Sequence, residues 1–223
     1  MIVVATHDRV DLLKSMLNKL NEINLNGHEV LIISTNSTNI EYLECFHESK
    51  EQYTNFKFDA LNYTCWDSGA YIYAFQNYHS DKYIFLQDSL EITNPNLFVD
   101  IDNLLDQYDV VPFFNFEYIY DHDQQKEWAE GGLEITSLPE YGIFGPIFGA
   151  TKLTLNKLPI EWLKYPTEKY QGNGMERRWS LMFHLIGATK HYLSEATGED
   201  LDNIMAFIDR NKQNINKIYL RRD

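Results

Sequence analysis

The sequence predicts an α/β fold with a mostly parallel central sheet covered by helices. Short apolar runs of strand length alternate with stretches whose apolar residues recur at spacings of three and four. That alternation occurs three times and is followed by a fourth strand-like run. Strands joined through helices must return in the same direction, which makes the sheet parallel.

The elements follow in order. Ile2-Val3-Val4-Ala5 is the first strand, and Val10, Leu13, Met16, Leu17, Leu20 and Ile23 mark the buried stripe of the first helix. Asn26-Gly27 breaks that helix, and Val30-Leu31-Ile32-Ile33 forms a second strand ending in the polar cluster Ser34 to Asn39. A second helix fits Ile40 to Glu51, a third strand Phe56 to Leu61, and a third helix Asp67 to Tyr78, with Asp67 or Ser68 near its N-cap. Lys82-Tyr83-Ile84-Phe85-Leu86 is the fourth strand. Beyond Glu91 the expectation is a short helix from Asn94-Pro95-Asn96 to about Leu105, an apolar strand over Val110 to Phe116, and an acidic, irregular loop from Tyr118 to Gly142. Gly145 to Ala150 leads into a helix over Lys152 to Leu158. Another helix covers Met175 to Ile186 after a Gly172-Asn173-Gly174 turn, and an amphipathic one covers about Glu199 to Asn211.

With 223 residues, 44% apolar and 23% charged, and with no internal repeat or linker, residues 1–223 are expected to be one domain. A core of this size folds without metal or disulfide, so a bound metal would be functional. Cys45 and Cys65 lack ligand spacing and read as ordinary reduced thiols in a cytoplasmic setting. The N-terminal run lacks a basic region before it and turns polar at Thr6, which reads as a strand rather than a signal peptide or membrane span. A net charge of −14 would repel a phosphate backbone, so no nucleic-acid partner is expected. The excess is uneven: residues 1–140 carry 7 basic and 24 acidic side chains, residues 141–223 carry 12 and 9.

In an open α/β sheet, ligands bind beyond the carboxyl ends of the strands. The residues there are Thr6-His7-Asp8-Arg9, the Ser/Thr/Asn cluster, Asn62 to Gly69, and Gln87-Asp88-Ser89. Neither GxGxxG after the first strand nor GxxxxGK[ST] anywhere is present, which argues against dehydrogenases and P-loop enzymes.

The run Tyr83-Ile84-Phe85-Leu86-Gln87-Asp88-Ser89-Leu90-Glu91 resembles the DxD region of GT-A-fold glycosyltransferases, and Trp66-Asp67-Ser68-Gly69-Ala70-Tyr71 resembles the segment that approaches the nucleotide in many of them. The resemblance extends over residues 1–92 in order and spacing. It implies a three-layer αβα sandwich of GT-A type, with a donor-nucleotide half over 1–92 and an acceptor-binding and catalytic half over 93–223. It further implies a nucleoside-diphosphate sugar donor, with UDP as the commonest nucleotide, and Mn²⁺ or Mg²⁺ held against the diphosphate. The motif here has one acid, Asp88, flanked by Gln87 and Ser89. His191 is the implied second ligand, or else a strand residue; Asp88 is a ligand, or else a turn carboxylate capping amides.

Inverting enzymes of this fold use a carboxylate to deprotonate the acceptor, and Gly172-Asn173-Gly174-Met175-Glu176-Arg177-Arg178-Trp179 resembles that arrangement. Glu176 is thus the implied base, or else a first-turn Glu favoured by the helix dipole. Thr6, His7, Arg9, Asp67, Gln87, Asp88, Ser89 and Arg177 are the implied donor-binding set, with Arg178 an alternative to Arg177. Gly145 to Thr151, including Phe148 and Gly149, resembles the segment lining the acceptor cleft, and Trp179 joins it. Trp128 either stacks on a sugar or packs on its own loop. The acceptor is a carbohydrate or other hydroxyl compound. A nucleotidyltransferase is disfavoured because the loop after the first strand has no glycine. A non-catalytic binding domain is favoured by Gln87 and Ser89. The basic segment Lys217 to Arg222 reads as a solvated chain end.

Overall fold

The computed structural model describes residues 1–117, 120, 122–143, 145–193 and 215–217. The helix expected over Glu199 to Asn211 and the basic segment past Lys217 lie outside them. Four βα-linked strands, β1 (Ile2–Thr6), β2 (Val30–Thr35), β3 (Phe56–Leu61) and β4 (Lys82–Gln87), are joined through α1 (Val10–Glu22), α2 (Ile40–Gln52) and α3 (Trp66–Asn77). All neighbouring pairs among them are parallel. With β9 (Phe148–Thr151) and β6 (Val110–Pro112), they form a six-stranded sheet of order β3-β2-β1-β4-β9-β6. β9 runs antiparallel to both its neighbours.

β1, β2 and β4 read as continuous apolar runs because both their faces are covered, whereas β3 at the edge alternates buried and exposed residues. Ile2 and Val4 of β1 point to a core shared with α1, α2 and α4 (Leu97–Leu105). Val3 and Ala5 point to the opposite core, shared with α3 and α7 (Lys169–Leu185). This is the αβα layering expected.

The second half departs from the expected boundaries. The apolar run Val110 to Phe116 splits into β6 and β7 (Asn115–Glu117), because Phe113 and Phe114 are buried between them. β7 pairs with β8 (Tyr141–Ile143). The irregular acidic stretch contains α5 (Asp123–Glu130), capped by His122, whose ring accepts from the Gln125 amide. The helix after β9, α6, is only Lys152–Leu155, started by Thr151 accepting from the Thr154 amide at 3.1 Å. The helix expected at Met175 begins at Lys169, behind a capping box of Glu168 and Gln171. Gly172 and Gly174 therefore lie inside α7, where they serve close packing. A Cβ on Gly172 would come within 3.3 Å of the Trp66 indole, and one on Gly174 within 3.1 Å of the Trp128 ring. A short β5 (Leu90–Ile92) follows the Asp88 turn and pairs antiparallel with β10 (Ile215–Lys217).

Candidate active site

The carboxyl ends of β1 and β4 lie side by side, which joins the turns that follow them. The Asp88 amide donates to the Ala5 carbonyl at 3.1 Å, and Thr6 Oγ1 donates to Asp88 Oδ2 at 2.7 Å. Thr6 in turn accepts from the fully buried Tyr42 hydroxyl at 3.1 Å. Asp88 is half-buried, yet its carboxyl sits among groups that exclude water. Burial, helped by the nearby Asp67 charge and opposed by the Thr6 hydrogen bond, pushes its pKa up to about 7.

Asp67 stands in the first turn of α3 and accepts from Gln87 Nε2 at 2.5 Å. The preceding Trp66 has φ of +50°, a left-handed conformation unusual for a bulky residue. Its neighbour Cys65 is buried, with a thiol pushed up to about 12 chiefly by burial, and Cys45 is buried too; both are free. From across the cleft α7 supplies Glu176, whose Oε2 accepts from the Gly145 amide and from Arg177 Nη1, each at 3.2 Å. Arg177 Nη1 also reaches the Asn173 carbonyl at 3.3 Å. Trp66, Asp67, Gln87, Pro146, Asn173 and Glu176 wall a cleft of about 180 Å³. Tyr71, buried beneath, feels Asp67, Asp88 and Glu176 together; burial first and these charges second drive its phenol pKa well upward. Its hydroxyl donates to the Leu86 carbonyl at 2.9 Å.

The other expected residues are distributed as follows. The His7 ring sits 2.6 Å from the Thr35 carbonyl, and Ser89 is half-buried in the turn. Arg9 pairs with Asp11 at 2.9 Å on the exposed start of α1, though its charge still reaches Asp88. Glu176 is the eighth residue of the 17-residue α7, so the first-turn, helix-dipole alternative does not hold.

Phe148 and Trp179 are core residues. Their rings pack together at 5.2 Å, at 0% and 2% exposure, and Trp179 Nε1 donates to Ser68 Oγ at 3.0 Å. Neither has a face to offer a sugar. Gly149 faces α4, where a Cβ would come within 2.9 Å of Ile101. These three placements depart from the acceptor role expected of them. His191 departs as well. Its amide donates to the Val110 carbonyl, and Val110 is level with Tyr83 near the start of β4. Asp88 lies beyond the far end of that strand, five residues on, or roughly 16 Å along it. The expected ligand is therefore at the wrong end of the sheet. Instead the His191 ring packs on Tyr108, with centroids 5.0 Å apart.

The sequence placed Trp66 and Tyr71 in the nucleotide-approaching segment, Pro146 in the acceptor-lining segment and Asn173 beside the implied base without giving any of them a role of its own, and Tyr42 had no sequence signal. Trp128, the other aromatic considered, packs on Gly174 with the Lys164 ammonium 5.6 Å from its ring centroid. Arg178 points away from the cleft; it is fully buried and donates to the carbonyls of Trp162, Ala129 and Gly131.

The architecture is the GT-A fold, the fold of nucleotide-sugar glycosyltransferases. Over 90% of this chain and 58% of the other, it superposes on the mannosyltransferase PcManGT from Pyrobaculum calidifontis in complex with GDP-Man and Mn²⁺, with a TM-score of 0.55 and 11% identity. It is likewise similar to S. aureus TarS 1-349 (TM-score 0.52, 14% identity, 88% and 58% covered) and to the same protein in complex with UDP (TM-score 0.52, 16% identity, 88% and 58% covered). The chain thus spans somewhat over half the length of these structures. At these identities the likeness defines the fold. No family model matches the sequence. No curated protein matches it either. No helix among the described residues is long and apolar enough to cross a membrane.

Proposed function

We propose that the chain is a glycosyltransferase that moves a sugar from a nucleoside-diphosphate sugar, with UDP as the nucleotide, to an acceptor hydroxyl with inversion. The observation that carries this reading is the cleft itself: Glu176 from α7 faces the Asp67–Gln87 pair of the strand ends, with Asp88 beside them. Glu176 takes the proton of the acceptor hydroxyl as that oxygen attacks the anomeric carbon. Gly145 and Arg177 hold the carboxylate in place for this. Arg177, paired with Glu176, offsets the charge that develops on the departing diphosphate. His7, anchored at the Thr35 carbonyl, and Thr6 form the floor for the nucleoside.

The donor set suits a hard divalent cation such as Mn²⁺ or Mg²⁺. No group of three or more metal-ligating side chains gathers among the described residues, but Asp88 and Asp67 are two carboxylates whose mutual repulsion a cation would relieve, and such ions need only one or two. These two residues would hold the ion. When bound, it supplies charge stabilisation for the leaving diphosphate. His191 has no part in this set.

The test is thermal shift with UDP- and GDP-sugars, with and without Mn²⁺. A ligand at 100 times its Kd adds about 2.7 kcal/mol, or roughly 5–10 °C for a chain of this length. Glu176→Gln is expected to keep that shift and lose about 10²- to 10⁴-fold in transfer. Full transfer by Glu176→Gln removes the base assignment. A shift without any turnover favours a non-catalytic binding domain, for which the Gln87 and Ser89 flanks of Asp88 speak.

A further inference from the structure

Beside the cleft lies a second, larger recess of about 670 Å³, walled by Tyr63, Thr64, Tyr165 and Thr167. We infer that it is the binding site for the extended part of a neutral oligosaccharide, which makes the acceptor a glycan of two or more sugar units. The inference rests on the transferase reading for its link to catalysis, and on its own observations for the ligand.

Two large aromatic side chains of the recess are exposed, Tyr63 at 42% and Tyr165 at 38%, and Trp66 in the same loop as Tyr63 is exposed at 37%. A surface has little reason to keep two such rings paired and open unless something covers them. Tyr63 and Tyr165 meet edge to face at 6.2 Å, which leaves a broad ring surface open. Trp66 belongs to the wall of the candidate cleft, and Tyr63 and Thr64 precede it in the same loop, which sets the two recesses side by side. The platform is held firmly. The Tyr165 hydroxyl donates to Gln76 at 2.8 Å, Thr64 accepts from Asn36 at 2.8 Å, and the Trp66 indole is backed by Gly172. The Tyr63 hydroxyl makes no hydrogen bond among the described residues and is available to a ligand.

Sugar rings present one face of C–H bonds, which covers aromatic rings, and a rim of hydroxyls, which bond to Tyr and Thr oxygens. The four lining residues carry no charge. Anionic glycans would also be repelled by the 24 acidic against 7 basic side chains of residues 1–140. The commitment is therefore to a neutral glycan.

The experiment uses the full chain on an array of neutral and uronic-acid-bearing oligosaccharides of one to six units. Isothermal titration then compares the best neutral binder with its monosaccharide, for wild type and for Tyr63→Ala and Thr64→Val. Both positions lie in a surface loop, and circular dichroism with melting temperature confirms folding. The expected result is neutral ligands of two or more units binding at least tenfold tighter than one unit, with Tyr63→Ala losing about tenfold and UDP affinity unchanged. Preference for anionic glycans, equal binding of mono- and oligosaccharide, competition by UDP for the recess, or wild-type affinity in both variants overturns the inference. Glycan binding that Tyr63→Ala weakens, in a chain that binds no nucleotide, supports the recess and removes the transferase reading. Donor binding with no glycan selectivity does the reverse.

Discussion

Replacing Asp88 by Asn should make the protein more stable and useless at once. A carboxyl with its folded pKa raised from 3.8 to about 7 keeps its proton in the folded state over a range where the unfolded chain has lost it. The folded state therefore binds more protons, and stability falls as pH rises from about 4 to about 7. Beyond that window the full cost applies. At 1.36 kcal/mol per pH unit it is about 4 kcal/mol at pH 8, an upper figure for a half-buried group. Asn carries no charge, and its Oδ1 can still accept from Thr6 in place of the present 2.7 Å bond. The expected outcome is a melting temperature raised by roughly 10 °C at pH 8 and unchanged at pH 4. Mn²⁺, which should stabilise wild type at pH 8, should then have little effect on the variant, and transfer should be lost. Differential scanning calorimetry from pH 4 to 8, with and without Mn²⁺, reads all of this. If Asp88→Asn lowers stability equally at both pH values, Asp88 is an ordinary turn carboxylate and the argument from its burial is wrong.

Phe148→Ala should cost about 3–5 kcal/mol of stability, seen in urea melts, because its fully buried ring packs on Phe85, Trp179 and Phe183. His191→Ala should leave the Mn²⁺-induced thermal shift unchanged, since its ring sits against Tyr108. Gly174→Ala should destabilise by about 1–3 kcal/mol, because the added methyl presses on the Trp128 ring and the Gln125 carbonyl; loss of hydrogen-exchange protection first in α5 would identify the cause.

The first four strands were legible because β1, β2 and β4 are buried on both faces and β3, at the edge, alternates buried and exposed residues, and α1 shows a clear apolar stripe. α5 was not, since only Gln125 and Ala129 of its eight residues are buried. The start of α7 was hidden by Gly172 and Gly174, which read as a turn when their purpose is contact with Trp66 and Trp128. Asp67, Gln87, Asp88 and Glu176 stood out through the resemblance of their segments to GT-A motifs, and Asp67, Gln87 and Glu176 do line one cleft. Phe148 and Trp179 could not be sorted, because a core aromatic and a ligand-facing one are identical in sequence. His191 failed for a topological reason: the insertion of β9 between β4 and β6 sets which end of the sheet it meets.

That insertion also bears on how the chain is made. Phe85 pairs with Phe148, 63 positions later, so on the ribosome β4 is finished long before its outer neighbour exists. At about 5–20 residues per second the wait is roughly 3–13 s. During it the run Tyr83-Ile84-Phe85-Leu86 is a bare sheet edge with unpaired amides and carbonyls, free to pair with another nascent chain. Slower synthesis lengthens that exposure, and a chain truncated before β9 would keep the edge open permanently.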